Sequence, residues 1–307
     1  MNAPRTPDTW IEVQIAVPDQ AEELIGLLNE SGMAGAWEDQ GVVRLYWPAD
    51  RWSAEVLSHI RHTCSRVSGL EADAADDPAR ITVGTLPDQD WNETWARAVR
   101  PIRVGRRIVV RASWHGEREA DLRPGDVELI LDPKQAFGTG HHATTQLMLE
   151  WLETHIRGGE SVLDVGTGSG ILAIAALKVG ARSALGLDID PVAIDCAREA
   201  AAMNGCGDEL RFELATVADG SPVRTLGRDG RWSVVLANLD RGALLSSVEV
   251  LMPLLRDGAR LVVSGLLHAD GDELTEVFGR QGAAMRGKWE RDGWIAAEFL
   301  VPESCED

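Results

Sequence analysis

The chain has 307 residues, of which 44% are apolar, and it carries a formal net charge of −19. This length allows two domains, and the strong negative charge disfavours binding to nucleic acid. The first ten residues contain no apolar run, and the longest such run, Ile171–Leu177, is too short to cross a bilayer. We therefore predict a cytoplasmic protein with neither a signal peptide nor a membrane span. The four cysteines form no C-x-x-C pair, which predicts free thiols and no metal site: Cys64, Cys196, Cys206 and Cys305.

Residues 1–88 are predicted to form a small α+β domain. Strands are predicted over 10–17, 34–38, 42–47 and 80–86, and helices over 21–29 and 52–67. Asp19 and Ser53 are suitable N-caps for the two helices. The order β-α-β-β-α-β is typical of a ferredoxin-like unit, a fold that identifies no function by itself.

The negative charge is denser in this N-terminal part. Residues 1–90 contain six Arg against 16 Asp or Glu, a net charge of −10. Two interpretations remain open, namely a surface that receives a basic protein partner and a solvated acidic surface adapted to salt.

Residues 89–101 are predicted to be a linker helix between two domains. Trp91 and Trp95 lie four residues apart, so both rings can dock on one side of a helix, and Pro101 ends it. Strands follow within 102–114 and over 127–131, with turns at Gly105 and 118–125.

From Phe137 onward, predicted strands and helices alternate. The strands cover 161–164, 184–188, 232–237, 259–264 and 294–301, and the helices cover 144–155, 171–179, 191–203, 242–255 and 273–280. Such alternation is typical of an α/β domain with a mostly parallel sheet covered on both faces. Ligands of these sheets bind beyond the carboxyl ends of the strands.

The segment Val162–Gly170 (VLDVGTGSG) is the most informative of the chain. An apolar strand leads into Gly166, Gly168 and Gly170, and an apolar helix begins at Ile171. Glycines allow the backbone to approach a nucleoside-type ligand closely. The spacing is G-x-G-x-G, whereas dinucleotide-binding proteins use G-x-G-x-x-G.

Two acids belong to the same pattern. Asp164 stands just before the loop, and Asp188 ends the next strand about twenty residues on, where an acid can bind ribose hydroxyls. D-x-G-x-G-x-G with a strand-end acid resembles the S-adenosylmethionine site of Rossmann-like methyltransferases. The competing interpretation is a tight strand–helix turn without a ligand.

A second cluster of glycines and hydroxyls, FGTGHHATT, covers residues 137–145. It leads into a helix, whose free N–H groups and the hydroxyls of Thr144 and Thr145 can bind a carboxylate, or the hydroxyls can simply cap the helix. His141 and His142 are adjacent and lack a third ligand at metal spacing, so we expect a structural or substrate-loop role for them.

Asn238 directly follows the predicted strand over 232–237 and is the candidate catalytic residue. Its side chain can accept a hydrogen from an amine and orient the amine lone pair, or it can merely cap the next helix. Asp240 can steady an incoming lysine, but we favour a place in the first turn of that helix.

These motifs, in this order, resemble those of the bacterial methyltransferases of large-subunit ribosomal protein eleven. The resemblance covers nearly the whole chain and is carried by Trp91-Asn92-Glu93 with Trp95, 103–107, 131–133, 136–145, 163–172 and 188–191. It implies an N-terminal substrate-recognition domain (1–88), a linker (89–101) and a Rossmann-like class I methyltransferase domain (102–307). The cofactor contacts implied are Thr145, Gly166, Asp188 and Asn238, to which the motifs add Asp164, Gly168 and Thr144.

The resemblance further implies methylation of lysine side chains and of the N-terminal amine of this basic ribosomal protein. We separately expect the enzyme to be a monomer. The chain departs from the family pattern at His141, Ala143 and 239–241, which are on the substrate side. Three alternatives follow: a methyltransferase of this fold acting on another protein or a small molecule, a nicotinamide dehydrogenase, or a non-catalytic protein-docking module. The glycine spacing disfavours the dehydrogenase.

Overall fold

A computed structural model describes residues 9–16, 21–28, 32–33, 35–39, 42–68, 81–87, 100–132, 138–217 and 231–301. The chain forms two compact units, residues 1–95 and 96–307. The predicted linker helix with Trp91 and Trp95 lies outside the described residues, as do Asp19, Phe137 and Cys305. Within the described ranges, no helix is both long and apolar enough to cross a membrane.

The first unit is the predicted ferredoxin-like fold. It consists of β1 (Thr9–Ala16), α1 (Ala21–Leu28), β2 (Gly35–Asp39), β3 (Val42–Pro48), α2 (Ala54–Ser68) and β4 (Ile81–Pro87). The strands form an antiparallel sheet in the order β2-β3-β1-β4. Val13 and Ile15 alternate with polar residues on β1, and they join Leu24 and Ile60 of the helices in one core.

The second unit begins with a small sheet of three strands, β5 (Ile102–Val104), β6 (Ile108–Arg111) and β7 (Val127–Ile130). The predicted turn at Gly105 separates β5 from β6, and β6 ends at Arg111 rather than continuing to Trp114. Arg103 forms a salt bridge of 2.7 Å with Asp126 just before β7.

The rest of this unit is the predicted Rossmann-like α/β domain. Its elements are α3 (Ala143–His155), β8 (Ser161–Val165), α4 (Ile171–Lys178), β9 (Ser183–Asp188), α5 (Pro191–Met203), β10 (Leu210–Leu214), β11 (Trp232–Asn238), α6 (Arg241–Leu251), β12 (Leu255–Leu267), α7 (Gly271–Arg280), β13 (Ala284–Arg291) and β14 (Trp294–Leu300). The strands form one sheet in the order β10-β9-β8-β11-β12-β14-β13. β14 is antiparallel to both of its neighbours, and the first five strands of that order are parallel.

The order of the strands reverses between β8 and β11, which pair in parallel with Val165 opposite Ala237. At such a switch point the connections leave on opposite faces, and a cleft opens at the carboxyl ends of the two strands. The glycine loop follows β8 and Asn238 ends β11, so both motifs lie at this cleft.

The sheet is covered on both faces, as its almost continuous apolar strands require. On one face Val162, Val234 and Leu236 pack with apolar residues of α3, α4 and α5. On the other, Leu163 and Val235 pack with apolar residues of α6 and α7. Since β8 is buried along its whole length, the loop that follows it starts from a rigid position.

Two strands of this domain were not predicted, and one predicted helix is shorter than expected. The strands β10 and β13 were not predicted, and the helix predicted over 242–255 ends at Leu251. Residues 252–254, which include Pro253, form a short 3₁₀ turn, and β12 already begins at Leu255. β13 lies at the edge of the sheet, where its residues alternate between exposed and half-buried, so its sequence lacks the apolar signal of the central strands.

Candidate functional site

The glycine loop between β8 and α4 is built against the turn that follows β11. Gly166 has φ +69, a left-handed conformation that favours glycine. A Cβ atom at this position would lie 2.5 Å from Cδ2 of Leu239, the residue after Asn238. Glycine is therefore needed at 166 for the contact between the two loops as well as for the backbone conformation.

Asp164, in the strand that precedes the glycine loop, stabilises this loop through a buried hydrogen bond. Its side chain is 1% exposed, and Oδ2 accepts a hydrogen bond of 2.6 Å from the hydroxyl of Thr167. Burial raises the pKa of this carboxyl group to about 7. We propose that Asp164 contributes to ligand binding by holding the loop, since its carboxyl group lies within the protein.

This raised pKa predicts a specific pH dependence of stability. Folding favours the protonated form of Asp164, so the stability it contributes is present below the unfolded pKa of 3.8 and is lost as the pH rises towards about 7. The variant Asp164→Asn keeps an acceptor for Thr167 and cannot ionise. Without ligand, its free energy of unfolding should rise relative to wild type by on the order of 4 kcal/mol between pH 4 and pH 8. Urea unfolding across this range measures the difference, and parallel profiles of the two proteins would contradict the assignment.

Asp188 connects the end of β9 to the glycine loop. Its Oδ2 accepts a hydrogen bond of 2.9 Å from the backbone N–H of Gly168, and Oδ1 accepts one of 3.0 Å from that of Asp190. The half-buried carboxylate is thus oriented by two backbone donors, and its remaining lone pairs can accept from hydroxyl groups. Ile189, which follows it, is 74% exposed beside this edge of the sheet.

The start of α3 carries two buried hydroxyl groups, and that of Thr144 contacts Asn238 at the cleft. Thr144 and Thr145 are each 1% exposed, and His142 is the N-cap residue of the helix. Oγ1 of Thr145 is buried and has no hydrogen-bond partner among the residues that the structure describes. A buried hydroxyl is rarely left unpaired in this way, which makes Thr145 a candidate ligand-binding residue.

Asn238 lies half-buried at the end of β11 and contacts the start of α3. Its Nδ2 donates a hydrogen bond of 3.2 Å to Oγ1 of Thr144, which joins two motifs 94 residues apart. The turn behind it is held by a hydrogen bond from the N–H of Leu239 to the carbonyl of Ser264. Gly265 allows this approach, since it has φ +92 and a Cβ there would overlap the carbonyl oxygen of Leu239.

Asp240, and not Asn238, is the N-cap of α6. Its Oδ1 accepts a hydrogen bond of 2.9 Å from the N–H of Ala243. Asp240 therefore has a structural role at the start of the helix, as we favoured, but it precedes the first turn instead of lying within it, and the capping interpretation of Asn238 is wrong. Arg241, the next residue, forms a salt bridge with Glu273 of α7, so two of the residues that depart from the family pattern stabilise the local fold.

Sequence reasoning did not predict the specific contacts of three residues near this cleft. Leu239 packs over Gly166, His142 accepts a hydrogen bond from the backbone N–H of Thr144, and the ring of Trp294 packs against the ring of His142. Only His142 had a signal in the sequence, because a polar residue two positions before Thr144 is well placed to cap the helix. The described residues contain no cluster of His, Cys, Asp and Glu that could hold a metal ion, and Cys64, Cys196 and Cys206 form no disulfide among them.

Comparisons with known proteins agree on one family. A family model described as ribosomal protein L11 methyltransferase (PrmA) matches residues 9–300. A ribosomal protein L11 methyltransferase from Azotobacter vinelandii is 38% identical over 301 residues, which cover 93% of this chain and 97% of the relative. That from Chromohalobacter salexigens is 38% identical over 275 residues, with 89% and 85% covered. The crystal structure of a ribosomal protein L11 methylase from Lactobacillus delbrueckii subsp. bulgaricus has a TM-score of 0.57 and 27% identity, and covers 67% of this chain and 100% of its own.

Proposed function

Because the chain belongs to the ribosomal protein L11 methyltransferase (PrmA) family, we propose that it transfers methyl groups from S-adenosylmethionine to lysine side chains and to the N-terminal amine of ribosomal protein L11. The cleft between β8 and β11 is the proposed site of transfer.

The observation that carries the cofactor assignment is the buried hydroxyl of Thr145, which has no hydrogen-bond partner among the described residues. Thr145 lies in the first turn of α3, and the loop before this helix is joined to the glycine loop by a hydrogen bond of 2.7 Å from the Ser169 hydroxyl to the carbonyl of Gly138. S-adenosylmethionine has a carboxylate that a hydroxyl group at a helix N-terminus can bind, and we assign Thr145 to this contact. Asp188, oriented by Gly168, is assigned to the ribose hydroxyls. The backbone at Gly166 borders the same cleft, and the exposed side chain of Ile189 offers an apolar surface beside Asp188 for the adenine ring.

The bound cofactor would supply an activated methyl group on a sulfonium sulfur, and the chain would supply alignment. In such a transfer the neutral amine of the substrate would bond to the methyl group as its bond to sulfur breaks, with the electron pair left on sulfur, and the amine proton would pass to water. Asn238 accepts one amine hydrogen through Oδ1, so that the amine lone pair faces the methyl group. Alignment of two reactants can contribute about 7–11 kcal/mol to lowering the barrier.

Lysine reaches this cleft mostly as an ammonium ion, because its pKa in water is about 10.4. Partial burial beside Asn238 disfavours the charged form and so raises the neutral fraction. The negative charge of the protein, −19 overall, favours the approach of a basic protein. No general base of the enzyme is required by this proposal.

Incubation of purified ribosomal protein L11 with the enzyme and S-adenosylmethionine should give mass increases in whole methyl steps by intact-mass spectrometry. Peptide mapping should then place the methyl groups on lysine side chains and on the N-terminal amine. The matched control omits S-adenosylmethionine. If the mass of L11 stays unchanged while calorimetry shows S-adenosylhomocysteine bound to the enzyme, L11 is not the substrate and only the cofactor assignment survives.

A further inference from the structure

We infer that His142 is a positioning residue that acts through Thr144 to hold the side-chain amide of Asn238 with Oδ1 turned towards the acceptor amine. The inference rests on the methyltransferase function proposed above and adds two residues to its alignment step. It follows from the hydrogen bonds between three side chains that come from α3 and the end of β11.

The first step concerns the proton on the His142 ring. Nδ1 lies 3.3 Å from the backbone nitrogen of Thr144 and 2.7 Å from its Oγ1. The backbone N–H can only donate, and the N-cap geometry directs it at Nδ1. Nδ1 must therefore be the unprotonated, accepting nitrogen, which places the proton of the neutral ring on Nε2.

The second step concerns the hydroxyl of Thr144. Since Nδ1 of His142 is an acceptor, the 2.7 Å contact requires the hydroxyl to donate its single proton to the ring. Oγ1 then has only lone pairs to offer to its other neighbour. That neighbour is the amide of Asn238 at 3.2 Å.

The third step fixes the amide. If the side-chain amide of Asn238 were rotated by 180°, its Oδ1 would face Oγ1 of Thr144, whose only proton is already donated to His142. Two acceptors would then face each other, so Nδ2 must be the atom that faces Thr144. Oδ1 then points to the other side, and within the described ranges it accepts no hydrogen bond from the protein. A half-buried acceptor in that position suits the N–H of a substrate amine.

The surroundings keep the His142 ring neutral and in place. Burial lowers its pKa to about 4, so the ring is uncharged at neutral pH. The ring of Trp294 at the start of β14 packs edge-on against it, with 4.9 Å between ring centroids. A charged imidazolium would carry a proton on Nδ1 and could not accept from Thr144.

Steady-state kinetics of matched variants test this relay. His142→Ala and Thr144→Val should each lower kcat for L11 methylation about tenfold, the equivalent of one lost hydrogen bond, with the KM for L11 within about twofold of wild type. His142→Asn keeps an acceptor at the N-cap, and Thr144→Ser keeps the hydroxyl, so both should restore kcat to within about twofold. His142→Ala added to Thr144→Val should cause no further loss. Additive losses, or equal losses for His142→Ala and His142→Asn, would overturn the relay.

A measurement without cofactor or substrate separates the relay from the proposed function. The ¹⁵N chemical shifts of the ring, assigned by the signal that His142→Ala removes, should show Nδ1 unprotonated and Nε2 protonated. A proton on Nδ1 would overturn the relay even if L11 is methylated. A spectrum with Nδ1 unprotonated, together with no methylation of L11 by wild type, would instead reject only the substrate.

Discussion

Replacement of Gly166 by valine should abolish binding of S-adenosylhomocysteine to the protein. Gly166 has φ +69, and a β-branched residue held in this region is strained by about 1–3 kcal/mol. Its Cβ would also lie 2.5 Å from Leu239, so either the glycine loop or the turn after β11 must move. Both border the proposed cofactor cleft, and a displacement of either removes contacts to the ligand. Calorimetric titration with S-adenosylhomocysteine measures the loss directly.

Gly159→Val is the matched control for this experiment. Gly159 has φ +89, so valine meets comparable backbone strain there, but a Cβ would have no neighbour within 4 Å. It also precedes β8, at the opposite end of the strand from the glycine loop. This variant should lose stability and still bind S-adenosylhomocysteine. Wild-type affinity in folded Gly166→Val would show that the glycine loop does not form the cofactor site.

The two motifs that end parallel strands could be placed from the sequence alone. Gly166 and Asn238 each follow a run of apolar residues long enough to be a buried strand, and carboxyl ends of neighbouring parallel strands meet at one edge. The strands of the N-terminal unit could also be predicted from the sequence, because Val13 and Ile15 alternate with polar residues as in a strand with one buried face. These features depend on local periodicity and on the order of elements.

The contacts that complete the site depend on distant parts of the chain and could not be read in this way. No pattern in the sequence predicted a role for Gly265. The residue lies in a bulge of β12, and its lack of a side chain lets the backbone of Leu239 approach. Trp294 reaches His142 only because β14 runs antiparallel within the sheet. β10 was missed because a five-residue edge strand with two buried positions carries too weak a pattern.

Asn238→Ala should lower kcat for L11 methylation about 100-fold, since loss of alignment by about 1 Å at a reacting centre costs roughly that factor. The substitution leaves the glycine loop intact, because Asn238 is not part of it. The affinity for S-adenosylhomocysteine should therefore change much less than kcat. Asn204→Ala is the matched control. The side chain of Asn204 forms hydrogen bonds with both backbone groups of Ile130, at 2.9 Å and 2.7 Å. Its replacement should lower the stability of the protein without changing kcat.

The variant Asn238→Asp distinguishes orientation of the amine from simple polarity. It retains an acceptor for the amine, but its carboxylate stabilises the ammonium form of lysine and raises the pKa of that amine. The neutral, reactive fraction at pH 7 therefore falls, and the rate should recover as the pH is raised towards the pKa of lysine, about 10.4 in water. Asn238→Ala lacks the acceptor at every pH, so its deficit relative to wild type should stay constant. If both variants show the same pH profile as wild type, Asn238 does not contact the amine, and the alignment we propose for it is wrong.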